Sequence, residues 1–215
     1  MNIERLERRV CGRSLSRCLQ LIEDFHGWKA PGLVLGLFMV DLAQKAIPPG
    51  VEADAVVETR HCLPDAIQLF TPCTVGNGWL KILDWDKFAL TLYDRRRFVG
   101  CRVWIDPDKA RAFPNLFNWF MRLVPKKKLP LNVLLETIFE AGSAPFSSQQ
   151  VRLHRFQDRI KKGETRLCPS CKEAYRADHG PICLDCAGEG YWTSVASAEA
   201  AAGSQRAGRL GNLNK

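Results

Sequence analysis

Glu58-Thr-Arg-His-Cys-Leu-Pro-Asp-Ala-Ile-Gln-Leu-Phe-Thr-Pro-Cys-Thr-Val-Gly-Asn-Gly-Trp-Leu80 is the stretch around which the chain reads as organised. Pro64 suits the first turn of a helix, where the N–H that proline lacks would have no partner anyway. Thr71-Pro72 ends that helix near Phe70, because proline disfavours helical geometry in the residue before it. Cys62 falls at the helix start, where unpaired N–H groups and the helix dipole favour a thiolate over a thiol. Asp65 and Gln68 follow at steps of three and rise along the same side. Cys73 lies just past the far end, on a loop that Gly76, Asn77 and Gly78 let turn tightly. If the chain folds back, Cys62 and Cys73 face one small site.

Upstream, residues 51–59 are β-branched and loosely alternating, which predicts a strand. Downstream, residues 79–85, 89–94 and 99–105 read as three more strands. Asp84-Trp85-Asp86-Lys87 and Arg95-Arg96-Arg97 are the turns between them. Residues 33–46 are apolar nearly all round and predict a buried helix. Residues 3–23 show a helical pattern in Ile3, Leu6, Val10, Leu15, Leu19 and Ile22, weakened at Gly12, which could split it in two. Cys11 and Cys18, seven apart, would share a face there as packing residues. Asp106-Pro107 starts a helix expected over residues 109–123. An apolar helix follows over 131–141, and a polar one, rich in Arg, Gln and Lys, over 147–162. Helix, strand, helix and then a run of strands imply an α+β domain, not a doubly wound one.

The 215 residues are enough for one domain with a real core and a small appendage. A net charge of +8 and a pI near 9.1 could suit nucleic acid or another acidic partner. The cations occur, however, in short clusters such as Lys126-Lys127-Lys128, which is how an ordinary solvated surface looks. The first ten residues mix both charges and lack an apolar signal core. The longest apolar run, residues 32–40, is too short to span a membrane. A cytoplasmic protein is therefore expected. Nine cysteines, an odd number, then suggest thiols and metal ligands more than a disulfide framework.

The strongest local signal is Cys168-Pro-Ser-Cys171 followed by Cys183-Leu-Asp-Cys186. Two such pairs bring four sulfurs to one tetrahedral Zn²⁺. A module this short has little core of its own, so structural zinc would supply its folding energy, on the order of 10–16 kcal/mol. A closed four-thiolate shell leaves no open position for catalysis. A redox pair or an iron–sulfur centre are the competing readings. Tyr175, Ile182 and Trp192 could pack around the knuckles, and His179 reads as a loop residue.

A second cluster is defined less by spacing. His26, Cys62 and Cys73 are soft ligands in the main domain, with His61 and Asp65 nearby. Such ligands suit Zn, Fe or Cu rather than Mg or Ca. Three of them plus one open position would fit an exchangeable or catalytic metal. The alternatives are a His26 bonded to backbone with both cysteines as core filler, or a Cys62–Cys73 redox disulfide. Residues 74–78 lack the Lys-Ser/Thr of a phosphate loop and read as a turn. Ser14, Ser16 and Ser147 have no His and acid at triad spacing. Trp104, Phe117 and Trp119 read as core or a subunit contact.

Phe25-His26-Gly27 with Pro31-Gly32, Cys62-x-x-Asp65-Ala66-Ile67-Gln68, Cys73-Thr74-x-Gly76-Asn77-Gly78-x-Leu80 and Lys87-x-Ala89 together resemble FmdE, a family of formylmethanofuran dehydrogenase subunits. The resemblance covers residues 15–105 well and extends loosely to about 150. It implies helices packed on a mixed β-sheet, a dimer, a four-cysteine zinc module at the end and a core metal held by His26, Cys62 and Cys73. The family loop usually reads His-Gly-His, and here the second His is Trp28; His61 could take its place. The dehydrogenase chemistry itself needs a molybdenum or tungsten pterin centre and iron–sulfur clusters, for which this chain has neither the cysteines nor an evident fold.

The expected layout is therefore an FmdE-like α+β metal-binding domain over 1–150, a helical linker over 151–165, the zinc module over 166–195 and a disordered tail over 196–215. The expected function is that of an accessory metal-binding protein in molybdenum- or tungsten-dependent formylmethanofuran or formate-type metabolism. It would be a homodimer, in contact with subunits of such an oxidoreductase, carrying zinc and a second transition-metal ion. The alternatives are a zinc-ribbon nucleic-acid-binding or scaffold protein, or a small metalloenzyme with Asp65 as proton acceptor.

Overall fold

A short hairpin lies directly before the first long helix. In the computed structural model, which describes residues 6–154 and 163–192, β1 (Arg9–Val10) pairs antiparallel with β2 (Arg13–Ser14). Cys11 and Gly12 make the turn at φ 48° and 75°. Among the described residues, the helical pattern expected over residues 3–23 is split at Gly12, as expected of a glycine there: Leu6 and Glu7 are helical, Cys11 and Gly12 turn, and the helix starts afresh behind them. Ser14 caps α1 (Leu15–His26) by accepting from the Arg17 N–H at 3.3 Å. Cys11 and Cys18 thus share no helical face. The Cys11 N–H donates to Asp41 Oδ1 at 2.8 Å, while buried Cys18 donates its thiol to the Val10 carbonyl.

The apolar run becomes α2 (Pro31–Ala46), buried over most of its surface at the centre of the core. β3 (Ala53–Val57) follows, then α3 (Leu63–Phe70), β4 (Leu80–Ile82), β5 (Ala89–Asp94) and β6 (Val99–Ile105). The helix expected over 109–123 is two short ones, α4 (Pro107–Ala110) and α5 (Pro114–Phe120). Pro114 breaks it by holding Phe113 out of helical geometry, at φ −123° and ψ 79°. Asp106 caps α4 as expected, accepting from the Asp108 and Lys109 N–H groups.

α6 (Leu131–Ala141) leads into β7 (Phe146–Arg152). The polar helix expected from residue 147 is therefore a strand as far as Arg152, in register with β6 from Ile105↔Phe146 to Val99↔Arg152. Residues 155–162 of that expected helix, and the expected tail over 196–215, lie outside the described residues. The five-stranded sheet runs β4-β3-β5-β6-β7. Only β3 and β4 are parallel, and the other three pairings are antiparallel, so the sheet is mixed and the fold is α+β. Among the described residues no helix is long and apolar enough to cross a membrane.

The chain divides into two compact units, Met1–Arg155 and Phe156–Lys215. In the second, β8 (Thr165–Leu167) and β9 (Ala174–Arg176) form an antiparallel hairpin.

Candidate functional site

The first knuckle, Cys168 to Cys171, is the turn of that hairpin. The Cys168 N–H donates to the Glu173 carbonyl at 2.8 Å and the Lys172 N–H to the Cys168 carbonyl at 2.9 Å. The second knuckle, Cys183 to Cys186, leads into a helical turn at Asp185–Glu189, and the Cys186 N–H points to Cys183 Sγ at 3.5 Å. Tyr175 donates its hydroxyl to the Gly180 carbonyl at 2.9 Å, closing the segment between the knuckles. Trp192 is about half exposed and His179 sits in a short turn, away from the sulfurs' own cluster.

The four Sγ atoms lie within 4.8 Å of one another, and Cys171 Sγ is 3.8 Å from Cys183 Sγ. Zn–S bonds of about 2.3 Å in a tetrahedron put the sulfurs about 3.8 Å apart. The donor set thus suits zinc in both chemistry and spacing. Backbone N–H groups of Cys183 and Cys171 pull the Cys168 thiol down to about 6. Hydrogen bonding with Cys183, followed by burial, pushes Cys186 up to about 12. Four thiolates so close need a cation among them, and a divalent metal displaces the protons that otherwise neutralise them.

In the first unit, His26 is the last residue of α1 and Asp65 lies in the first turn of α3. His26 Nδ1 donates to Asp65 Oδ2 at 2.8 Å, and both side chains are partly buried. In the neutral imidazole this bond puts the lone pair on Nε2, which is the arrangement in which histidine binds metals. The Trp28 ring stands 6.2 Å from the His26 ring and is half exposed.

Cys62 caps α3 in an uncommon conformation, φ 53° and ψ −43°, with the Leu63 N–H turned onto the His61 carbonyl. That is a γ-turn with a non-glycine residue at its strained centre. Its sulfur packs where a side chain on Gly32 of α2 would be.

Cys73 goes elsewhere. It is buried, donates its thiol to the Ala53 carbonyl at 3.2 Å, and burial raises its pKa. An eight-residue helix, about 12 Å long, separates it from Cys62. All nine cysteines are free thiols in this structure. Among the described residues, the zinc-module cysteines are the one group of three or more His, Cys, Asp or Glu donor atoms gathered within 4.8 Å. His26, Cys62 and Cys73 are not brought together in that way. The loop over residues 74–78 is a turn as expected, built by Asn77, whose Oδ1 accepts from the Thr74 and Trp79 N–H groups, both at 3.0 Å.

Two features escaped the sequence reading. Glu58, 5% exposed, holds Arg102 of β6 in a two-pronged pair at 2.6 and 2.8 Å. The strain at Cys62 is the other. Neither has a local signal: one joins residues 44 apart, and the other is a backbone angle imposed by packing.

Fold and site together define a metal-binding α+β protein with a separate four-cysteine zinc-finger module. Residues 25–153 match the family described as FmdE, molybdenum formylmethanofuran dehydrogenase operon, and residues 159–193 match the FmdE treble clef zinc finger. The chain belongs to the FmdE family. A tungsten formylmethanofuran dehydrogenase FmdE-like protein from Syntrophus aciditrophicus is 42% identical, with a TM-score of 0.79 over 87% of this chain and 99% of its own. A probable S-adenosyl-L-methionine-binding protein of Archaeoglobus fulgidus is 30% identical over 201 residues, 82% of this chain. The chain spans only 54% of that relative, whose description concerns the longer protein.

Proposed function

We propose that the chain is an accessory metal-binding protein of molybdenum- or tungsten-dependent formylmethanofuran or formate-type one-carbon metabolism, acting as a homodimer beside the subunits of such an oxidoreductase. The observation that carries the metal-binding part is the cluster of Cys168, Cys171, Cys183 and Cys186, with sulfur spacing matched to zinc. Zinc there would be structural: it cross-links two knuckles in a module whose described residues bury little apolar surface besides Cys168. The link to one-carbon metabolism rests on the family, whose description names the operon.

The reading includes a second, exchangeable transition-metal ion in the core, drawing on His26 and Cys62. Support comes from the Asp65 carboxylate, which fixes the His26 ring and leaves Nε2 free. Cys73, the third expected ligand, joins only if its thiol gives up the Ala53 carbonyl. Asp65, engaged with His26, serves as a positioning residue in this reading. The nucleic-acid alternative is less favoured: residues 163–192 hold three Lys or Arg against five Asp or Glu, a poor surface for phosphates.

Metal content per chain, measured by mass spectrometry on the wild type and on Cys168→Ser/Cys171→Ser, tests both parts. Two metals falling to one is the expected result. One falling to none would remove the core metal from the proposal, and no metal in the wild type would remove both.

A further inference from the structure

A cleft of about 550 Å³ opens beside Cys62, lined by Thr59, His61, Asp86, Phe88, Trp119, Phe120 and Arg122. These residues come from three places in the chain: the turn before α3, the segment entering β5, and the end of α5. The volume lies in the range of small-ligand sites, about 300–1,000 Å³.

The lining divides by chemistry. Phe88, Trp119 and Phe120 form an aromatic wall, with Phe88 and Phe120 edge to face at 6.2 Å and 78°. Aromatic rings of this kind take the face of a flat π-system. The polar lining is Asp86 and Thr59 on one hand, Arg122 and His61 on the other. A carboxylate can only accept, so Asp86 calls for N–H donors on the ligand, while the Arg122 fork and His61 call for an anion. Among the described residues no ion pair or hydrogen bond engages either the Asp86 carboxylate or the Arg122 guanidinium. Both residues are exposed and sit in left-handed backbone, at φ 57° and 56°. Charged side chains facing a cleft with no partner of their own are free to meet a ligand.

We infer that this cleft binds a purine-type nucleotide: a flat amino-heterocycle against the aromatic wall, its N–H groups toward Asp86 and its phosphate at Arg122 and His61. This goes beyond the accessory metal-binding role and needs no metal. The cleft does share a wall with the proposed core site, since the Phe88 ring lies 3.7 Å from the position a Gly32 side chain would take, beside Cys62.

The test uses the full chain and guanosine 5′-monophosphate, with guanosine and ribose 5-phosphate as the separated halves, titrated by calorimetry. Tryptophan fluorescence gives a second readout, the quenching assigned to Trp119 by its loss in Trp119→Phe. The expected result is one site per chain, with each half binding about tenfold or more weakly than the whole. Arg122→Asn should abolish the advantage of the nucleotide over guanosine, and Asp86→Asn should weaken guanosine itself. Asparagine tolerates left-handed backbone, so both variants should melt as the wild type does. No heat and no quenching at about 1 mM nucleotide would overturn the proposal. So would guanosine binding as tightly as its monophosphate, or unchanged nucleotide affinity in well-folded Arg122→Asn.

Discussion

The side chain that Gly32 lacks would begin 3.0 Å from Cys62 Sγ. One turn further along α2, a Cβ on Gly36 would lie 2.6 Å from Ala66 Cβ. Two glycines four residues apart thus let the start of α3 lie directly on α2, with Cys62 in the contact. Alanine at either place would gain about 1 kcal/mol of helix propensity and meet an overpacking cost of about 1–3 kcal/mol. At Gly36 the contact is too close to relax, so Gly36→Ala should lower the melting temperature by a few degrees, at about 2–4 °C per kcal/mol. At Gly32 the two effects are close to balanced, and the expected change is in position: Cys62 moves, and, if the proposed core metal is bound there, Gly32→Ala loses it with little change in melting temperature. Calorimetric melts and metal counts on the two variants check both statements.

Asp65→Asn keeps the shape of the side chain but not its charge. If Asp65 orients His26 for a metal, the core metal should bind about 10–100-fold more weakly, with the module's zinc unaffected. Competition with a graded chelator measures this, and equal affinity in wild type and variant would remove Asp65 from the site. His61→Ala is expected to leave the metal count unchanged, because His61 lines the neighbouring aromatic cleft. A lost metal would instead put His61 in the place that Trp28 leaves open.

Stability should fall on the alkaline side. Burial raises the Cys11, Cys18 and Cys101 thiols above 9.0 and the Tyr93 hydroxyl from 10.0 to about 12. From pH 9 upward the unfolded chain releases these protons first, so the folded state holds more protons and loses stability as pH rises. For Tyr93 the window is pH 10 to about 12. Urea midpoints at pH 8 and pH 11 should show a smaller loss in Tyr93→Phe than in the wild type. Equal losses would mean that Tyr93 does not contribute.

β7 sets a limit on where the first unit can be cut. A chain ending after Gln150 loses the Val151 and Arg152 pairings and the Leu153 N–H bond to the Phe98 carbonyl. A chain ending after Arg155 keeps them. The shorter chain should melt several degrees lower, since each lost backbone bond is worth about 0.5–1.5 kcal/mol. Coincident melts would show that the end of β7 adds nothing.

Wherever the determining interactions are local, the amino-acid sequence by itself determined the outcome. Pro64 and Pro72 mark the two ends of α3, and a β-branched pattern marks β3 before it. β5 and β6 span the residues 89–94 and 99–105 expected of them. The four cysteines of the module are spaced to meet because each pair needs only one tight turn. β7 was illegible because it is an edge strand, exposed along Ser148, Gln149 and Gln150, and an edge strand in water carries no alternating apolar signal. Only the tertiary structure decided which of the residues expected at a core site come near one another. The crossing of α2 over α3 brought Cys62 against Gly32, and the end of α1 brought His26 to Asp65 across 39 residues. The rigid length of α3 then kept Cys73 away from Cys62, because a helix separates its two ends however close they are in sequence.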